Sequence, residues 1–137
     1  MYHVVMAVST DDEGLAAKVD TVADLPTATE AVRVTLVHVH AGDDGEKIAD
    51  RPAVSEALER CSEAGLQAEP YGLVAETAPD GLVEAIEILD PDLVCLGGRR
   101  RSPAGKRQLK PGAQEVILQA GPPVVIAGEL DHRTPRT

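Results

Sequence analysis

The 137-residue chain has 43% hydrophobic and 26% charged residues, which predicts one globular domain with a buried core. Its net charge of −10 and its lack of Trp and Phe argue against nucleic-acid binding, and its apolar runs are too short to span a membrane. No export signal precedes the first strand, so we expect a cytoplasmic protein. The acidic, lysine-poor composition suggests a halophilic origin, in a salt-rich cytosol.

Short apolar strands alternate with amphipathic helices along the chain. The predicted strands cover 4–8, 34–39, 67–74, 92–96 and 123–127, and the predicted helices lie between them. Asp11 or Asp12 is expected to cap the first helix, and Gly65 suits the end of the second. Pro70 places the third strand at a sheet edge, and Thr77 begins a capping box for the third helix.

This alternation predicts an α/β fold, a single open five-stranded parallel sheet with helices on both faces. Such sheets bind ligands beyond the carboxyl ends of their strands, where the strand order reverses. We therefore expect the site near Ser9 and Gly97, at the ends of the first and fourth strands. The domain is predicted to cover 1–128, followed by a polar tail over 129–137.

Residues 97–112, called the basic loop below, concentrate positive charge. Six basic and no acidic residues lie between positions 99 and 110, and the loop leads into a helix at Ala113. Gly97, Gly98 and Gly112 flank the charges and allow close backbone approach, so the loop predicts a cradle for phosphate. The alternative is a solvated loop whose arginines pair with the acidic surface. Neither a Walker motif nor a GxGxxG after the first strand is present.

The chain resembles the universal stress proteins from its first strand through Val37-His38-Val39 to the stretch 122–126. The resemblance implies a Rossmann-like, adenine nucleotide alpha hydrolase-like sheet with strand order 3-2-1-4-5, and it implies adenine nucleotide, ATP above all, as ligand. ATP-binding members carry G-x2-G-x9-G-[ST] after the fourth strand. Here the first glycine is Gly97, while Arg100, Lys110 and Pro111 occupy the later positions.

Two further positions bear on the ligand that the resemblance implies. Ser9 stands where ATP-binding members usually have an aspartate that contacts the nucleoside, and Val39 fits the apolar contact beside adenine. Pro111 supplies neither an N–H nor a hydroxyl to a phosphate. The expected nucleotide- or phosphate-binding residues are Ser9, Val39, Gly97, Arg99, Arg100, Lys106, Lys110, Gly112 and Ala113.

Two functions remain open from the sequence. The first is a universal stress protein-like regulatory protein that binds ATP, AMP or another phosphate anion at the basic loop. The second is a homodimeric module without nucleotide, whose basic loop contacts a partner protein.

The resemblance implies a homodimer through the fifth strand, at Val124, Val125 and Ile126. No catalytic residue is identified, so at most weak ATP hydrolysis is expected.

Metal and thiol chemistry receive only weak signals. His38 and His40 face the same side of a strand near 43–44, which fits either a metal site or a structural pair. The acidic run 11–13 fits either Mg²⁺ beside a phosphate or a helix cap, and no metal ligand is assigned. Cys61 and Cys95 are expected to be buried, reduced thiols.

Overall fold

A computed structural model describes residues 1–10, 12, 14–25, 31–42, 47–97, 100–101, 107–108 and 112–127. Strands and helices alternate along these residues. The strands are β1 (Tyr2–Ala7), β2 (Val32–His40), β3 (Gln67–Val74), β4 (Leu93–Leu96), β5 (Arg100–Arg101), β6 (Arg107–Gln108) and β7 (Val124–Ile126). The α-helices are α1 (Leu15–Ala23), α2 (Pro52–Glu63), α3 (Ala78–Leu89) and α4 (Ala113–Gln119), with a 3-10 turn at Ile48–Asp50. The tail predicted over 129–137 lies outside the described residues.

The main sheet contains five parallel strands in the order β3-β2-β1-β4-β7. This confirms the predicted order 3-2-1-4-5, with β7 as the fifth strand. β1 pairs with β2 on one side, where Val4 lies opposite Val34, and with β4 on the other, where Val4 lies opposite Leu93. The chain therefore leaves β1 and β4 toward opposite sides, and their carboxyl ends border a crevice.

The two edges of the sheet are β3 and β7. Within the described strands, β3 pairs only with β2, where Pro70 lies opposite Leu36, and β7 pairs only with β4. Proline lacks the N–H that a central strand needs on one side, so the edge position predicted from Pro70 is confirmed.

Both faces of the sheet are covered by helices, as predicted. On one face Met6 and Leu36 pack in a cluster with Val54 of α2, and all three are fully buried. On the other face Val37 packs with Leu82 of α3. The central strands β1, β2 and β4 are buried on both sides, which explains their nearly continuous apolar sequences.

Both cysteines are free and buried, as predicted. Burial disfavours the thiolate, raising the pKa of Cys61 to about 11 and that of Cys95 to about 12. Both thiols are therefore protonated and unreactive near neutral pH.

Two of the three predicted helix ends are confirmed and one is wrong. Thr77 caps α3, since its hydroxyl accepts a hydrogen bond from the Asp80 N–H at 3.3 Å, and Gly65 follows α2 with φ of +79°. The N-cap of α1 is Gly14, without a side-chain hydrogen bond. Asp12 does not cap α1, because its carboxylate is held in the turn before the helix by Lys18 and by main-chain N–H groups.

The basic loop contains regular structure that the sequence analysis did not predict. Arg100 lies opposite Gln108 and Arg101 opposite Arg107 in a short antiparallel pair, β5 and β6. Each strand is only two residues long, too short to produce a hydrophobic periodicity.

Among the described helices, none has the length and apolar character that crossing a lipid bilayer would require.

Candidate ligand site

A cavity of about 300 Å³ opens at the carboxyl ends of β1 and β4, where the crevice was expected. The volume lies at the lower end of the range for small-molecule sites. Its wall is formed by the ends of β1, β2 and β4, the turn after β1, and the first turns of α3 and α4.

Apolar side chains form most of the cavity wall. Val37 and Val39 come from β2, Leu82 from α3 and Val116 from α4. Gly81 lets α3 approach the sheet closely, because a Cβ atom at this position would lie 2.6 Å from Val39 Cγ1. Such a wall suits a flat apolar group such as a heteroaromatic ring.

Helices α3 and α4 both begin at the cavity, with Ala78, Pro79, Gly112 and Ala113 on its wall. Gly112 has φ of +86°, and a Cβ atom there would lie 2.5 Å from Pro79 Cγ. The bare glycine therefore allows the two helix starts to pack together. The positive end of each helix dipole favours an anion nearby. At the start of α3, Pro79 has no N–H and the Asp80 N–H bonds to the Thr77 hydroxyl, so α3 contributes mainly through its dipole.

Lys18 also lines the cavity, and the sequence analysis did not identify it. Its side chain is 2% exposed, and its ammonium donates to the Ala7 carbonyl and to the Asp12 carboxylate. A signal was present: Leu15, Lys18 and Val22 follow i, i+3, i+7 spacing, so this lysine lies on the apolar face of α1. A charge at such a position has to be buried with a partner.

The structure brings together several of the residues predicted to bind a ligand. Ser9, Val39, Gly97, Gly112 and Ala113 all lie on the wall of this one cavity. Their role in binding remains a prediction.

The other predicted ligand residues belong to the basic loop. Arg100 is placed in β5 by its main-chain pairing. Arg99, Lys106 and Lys110 lie outside the described residues, as does Pro111.

The two histidines of β2 each bond to the main chain. His38 Nδ1 donates to the Val8 carbonyl and His40 Nδ1 to the Gly42 carbonyl, both at 2.8 Å, and the rings stack with centroids 6.2 Å apart. These contacts fit the structural interpretation of the pair. In the described part of the chain no three His, Cys, Asp or Glu residues group as metal ligands would, and positions 43–44 lie outside that part.

No protein-family model matches this chain, and no curated protein matches it significantly. Solved structures do match. A universal stress protein from Archaeoglobus fulgidus is 26% identical with a TM-score of 0.76, over 93% of this chain and 98% of that one. A universal stress protein from the same organism in complex with dAMP is 22% identical, with a TM-score of 0.70 over 93% and 98% of the two chains. A family protein from Arabidopsis thaliana with AMP bound is 16% identical, with a TM-score of 0.66 over 94% and 92%. Because the last two structures are less than 25% identical to this chain, their similarity shows a shared fold and nothing more.

Proposed function

We propose that this chain, which belongs to the universal stress protein family, is a stress-response regulatory protein that binds an adenine nucleotide in the cavity described above. The observation that carries the proposal is the cavity itself, an apolar slot bordered by two helix N-termini at the ends of β1 and β4. Structures of the same fold hold dAMP and AMP, which supports this ligand class.

We infer a place for each part of the ligand from the chemistry of the wall. The base packs against Val39 and Leu82, where its ring excludes water from apolar surface. The phosphate lies toward Gly112 and Ala113, where α4 begins and the basic loop ends. Phosphate contacts by Arg99, Arg100, Lys106 and Lys110 belong to the proposal and rest on the charge of the basic loop.

Titration calorimetry with AMP, dAMP, cyclic AMP and ATP, with and without Mg²⁺, tests the proposal. We expect Ala78→Trp to weaken binding of the preferred nucleotide at least about thirtyfold. Ala78 is an exposed residue on the cavity wall, so an indole there fills part of the cavity of about 300 Å³ without disturbing the core.

Gln114→Trp is the matched control, because Gln114 is exposed on α4 and does not line the cavity. It should bind like the unchanged protein. Dissociation constants above about 1 mM for every nucleotide would contradict the proposal. That result would favour the second function, a module without nucleotide whose basic loop contacts a partner protein.

We also propose that the chain forms a homodimer through β7, at Val124, Val125 and Ile126. Support comes from the open edge of the sheet. The Pro123 carbonyl and the Ala127 N–H hydrogen-bond to β4, so by alternation the N–H groups of Val124 and Ile126 face away from β4.

Light scattering in concentrated KCl, chosen for the acidic composition, should give twice the 14.4 kDa chain mass. Val124→Pro should give the monomer, whereas Val124→Thr should remain dimeric. A monomeric unchanged protein at micromolar concentration would contradict the dimer.

A further inference from the structure

We propose that Asp12 and Lys18 form a positioning pair for the ligand. They hold the turn after β1 so that Ser9 and Thr10 stay on the cavity wall. The inference rests on the proposed function, because the ligand meant is the nucleotide. It assigns a role to Lys18, which was not among the predicted site residues, and a new role to Asp12, which the sequence suggested as a helix cap or a Mg²⁺ ligand beside a phosphate.

The Asp12 carboxylate connects both ends of the turn. Its Oδ2 accepts a hydrogen bond from the Ser9 N–H at 3.1 Å, and its Oδ1 accepts one from the Gly14 N–H at 2.9 Å. Oδ2 also accepts from the Lys18 ammonium. One side chain, with no solvent exposure, thus joins the main chain just after β1 to Gly14, the N-cap of α1.

Lys18 anchors this carboxylate to the sheet. Its ammonium also donates to the carbonyl of Ala7, the last residue of β1, and its side chain reaches the cavity wall from α1. A buried ammonium is unfavourable without a carboxylate, and a buried carboxylate is unfavourable without a cation, so each charge needs the other. The pair therefore fixes the turn relative to both β1 and α1.

The turn supplies hydroxyl groups to an otherwise largely apolar wall. Among the described lining residues, only Ser9 and Thr10 carry hydroxyls. Hydroxyl and main-chain N–H groups suit the sugar hydroxyls and phosphate oxygens of a nucleotide, provided that they are held in place before the ligand arrives. Asp12 is too enclosed to touch the ligand, so it acts through Ser9 and Thr10.

Two double variants separate positioning from folding. Asp12→Asn with Lys18→Met removes both charges but keeps an oxygen that can accept from the turn, whereas Asp12→Leu with Lys18→Met removes the acceptor as well. Neither variant keeps the charge of Asp12 or of Lys18, so both should fold.

We expect the Leu/Met variant to bind AMP about tenfold more weakly than the Asn/Met variant, which corresponds to the loss of about one well-placed hydrogen bond. Amide hydrogen exchange at Ser9 and Gly14 should be at least about tenfold faster in the Leu/Met variant.

Equal AMP affinity in the two double variants would overturn the inference, whether or not exchange differs. The inference would also be overturned if the Leu/Met variant binds AMP more weakly than the Asn/Met variant while its Ser9 and Gly14 amides exchange at the same rate. The turn would then not have been released. If the unchanged protein binds none of AMP, dAMP, cyclic AMP and ATP, the proposed function fails; if it binds one of the others but not AMP, that nucleotide replaces AMP in the comparison. Exchange at Ser9 and Gly14 that is faster in the Leu/Met variant than in the unchanged protein would then still show that the pair holds the turn, so the two failures are distinguishable.

Discussion

Gly112→Ala should lower the free energy of unfolding by about 2–4 kcal/mol and weaken nucleotide binding. Two costs add at this position. Its φ of +86° is strained for any residue with a Cβ atom, which costs about 1–2 kcal/mol. The new methyl group would also lie 2.5 Å from Pro79 Cγ, and a proline ring cannot rotate away. Helices α3 and α4 must therefore separate slightly, which costs about 1–2 kcal/mol more.

Two other glycines provide matched controls for this change. Gly65 has φ of +79° but nothing within 4 Å of the point where a methyl group would be added, so Gly65→Ala measures the backbone cost alone, about 1 kcal/mol. Gly121 has neither a positive φ nor a close neighbour, so Gly121→Ala should be nearly neutral. Urea unfolding of the three variants makes the comparison. If Gly112→Ala is no less stable than Gly65→Ala, the close packing of the two helix starts is not important for stability.

Asp12→Leu should lower the free energy of unfolding by about 3–5 kcal/mol, the largest loss that we expect from a single substitution. The change removes the carboxylate that neutralises the Lys18 ammonium, whose side chain is only 2% exposed. The carbonyl of Ala7 remains as an acceptor but carries no full negative charge. The loss therefore combines weaker neutralisation of a buried ammonium with the lost hydrogen bonds of the turn.

The double variant, Asp12→Leu with Lys18→Met, is the control for this interpretation. It should recover most of the lost stability, because no buried charge remains and the methionine side chain fills nearly the same volume as the lysine it replaces. Urea unfolding of Asp12→Leu, of Lys18→Met and of the double variant, each compared with the unchanged protein, gives the coupling energy between the two positions. Additive losses, with the double variant the least stable of the three, would show that the two side chains act independently.

Local patterns predicted the elements that position the site. The alternation of apolar strands with amphipathic helices predicted the parallel sheet, and Pro70 correctly marked β3 as an edge because a ring nitrogen has no hydrogen to donate. The strand order came from the resemblance together with Pro70, and it located the crevice near Ser9 and Gly97. The parallel sheet and its edge strand follow from chain periodicity and residue geometry, which neighbouring residues determine, whereas the full strand order needed the resemblance.

The partners of polar side chains were not predictable in the same way. The sequence suggested Asp12 as a helix cap, whereas the folded chain uses it as the counterion of Lys18 and the acceptor for Ser9. His38 similarly bonds to Val8, thirty residues away, once β1 and β2 lie side by side. The partner with which a polar side chain pairs depends on how deeply that side chain is buried. Burial is known only after the helices and strands pack.

The sequence by itself determined the α/β architecture, the edge position of β3 and the region where the cavity opens. Only the tertiary structure decided that α3 and α4 meet at Gly112 and Pro79, and that a buried ion pair supports the turn at Ser9. The physical reason is the range of the interactions. Helix and strand preferences act between residues a few positions apart, whereas close packing and charge pairing in a cavity join segments that only folding brings together.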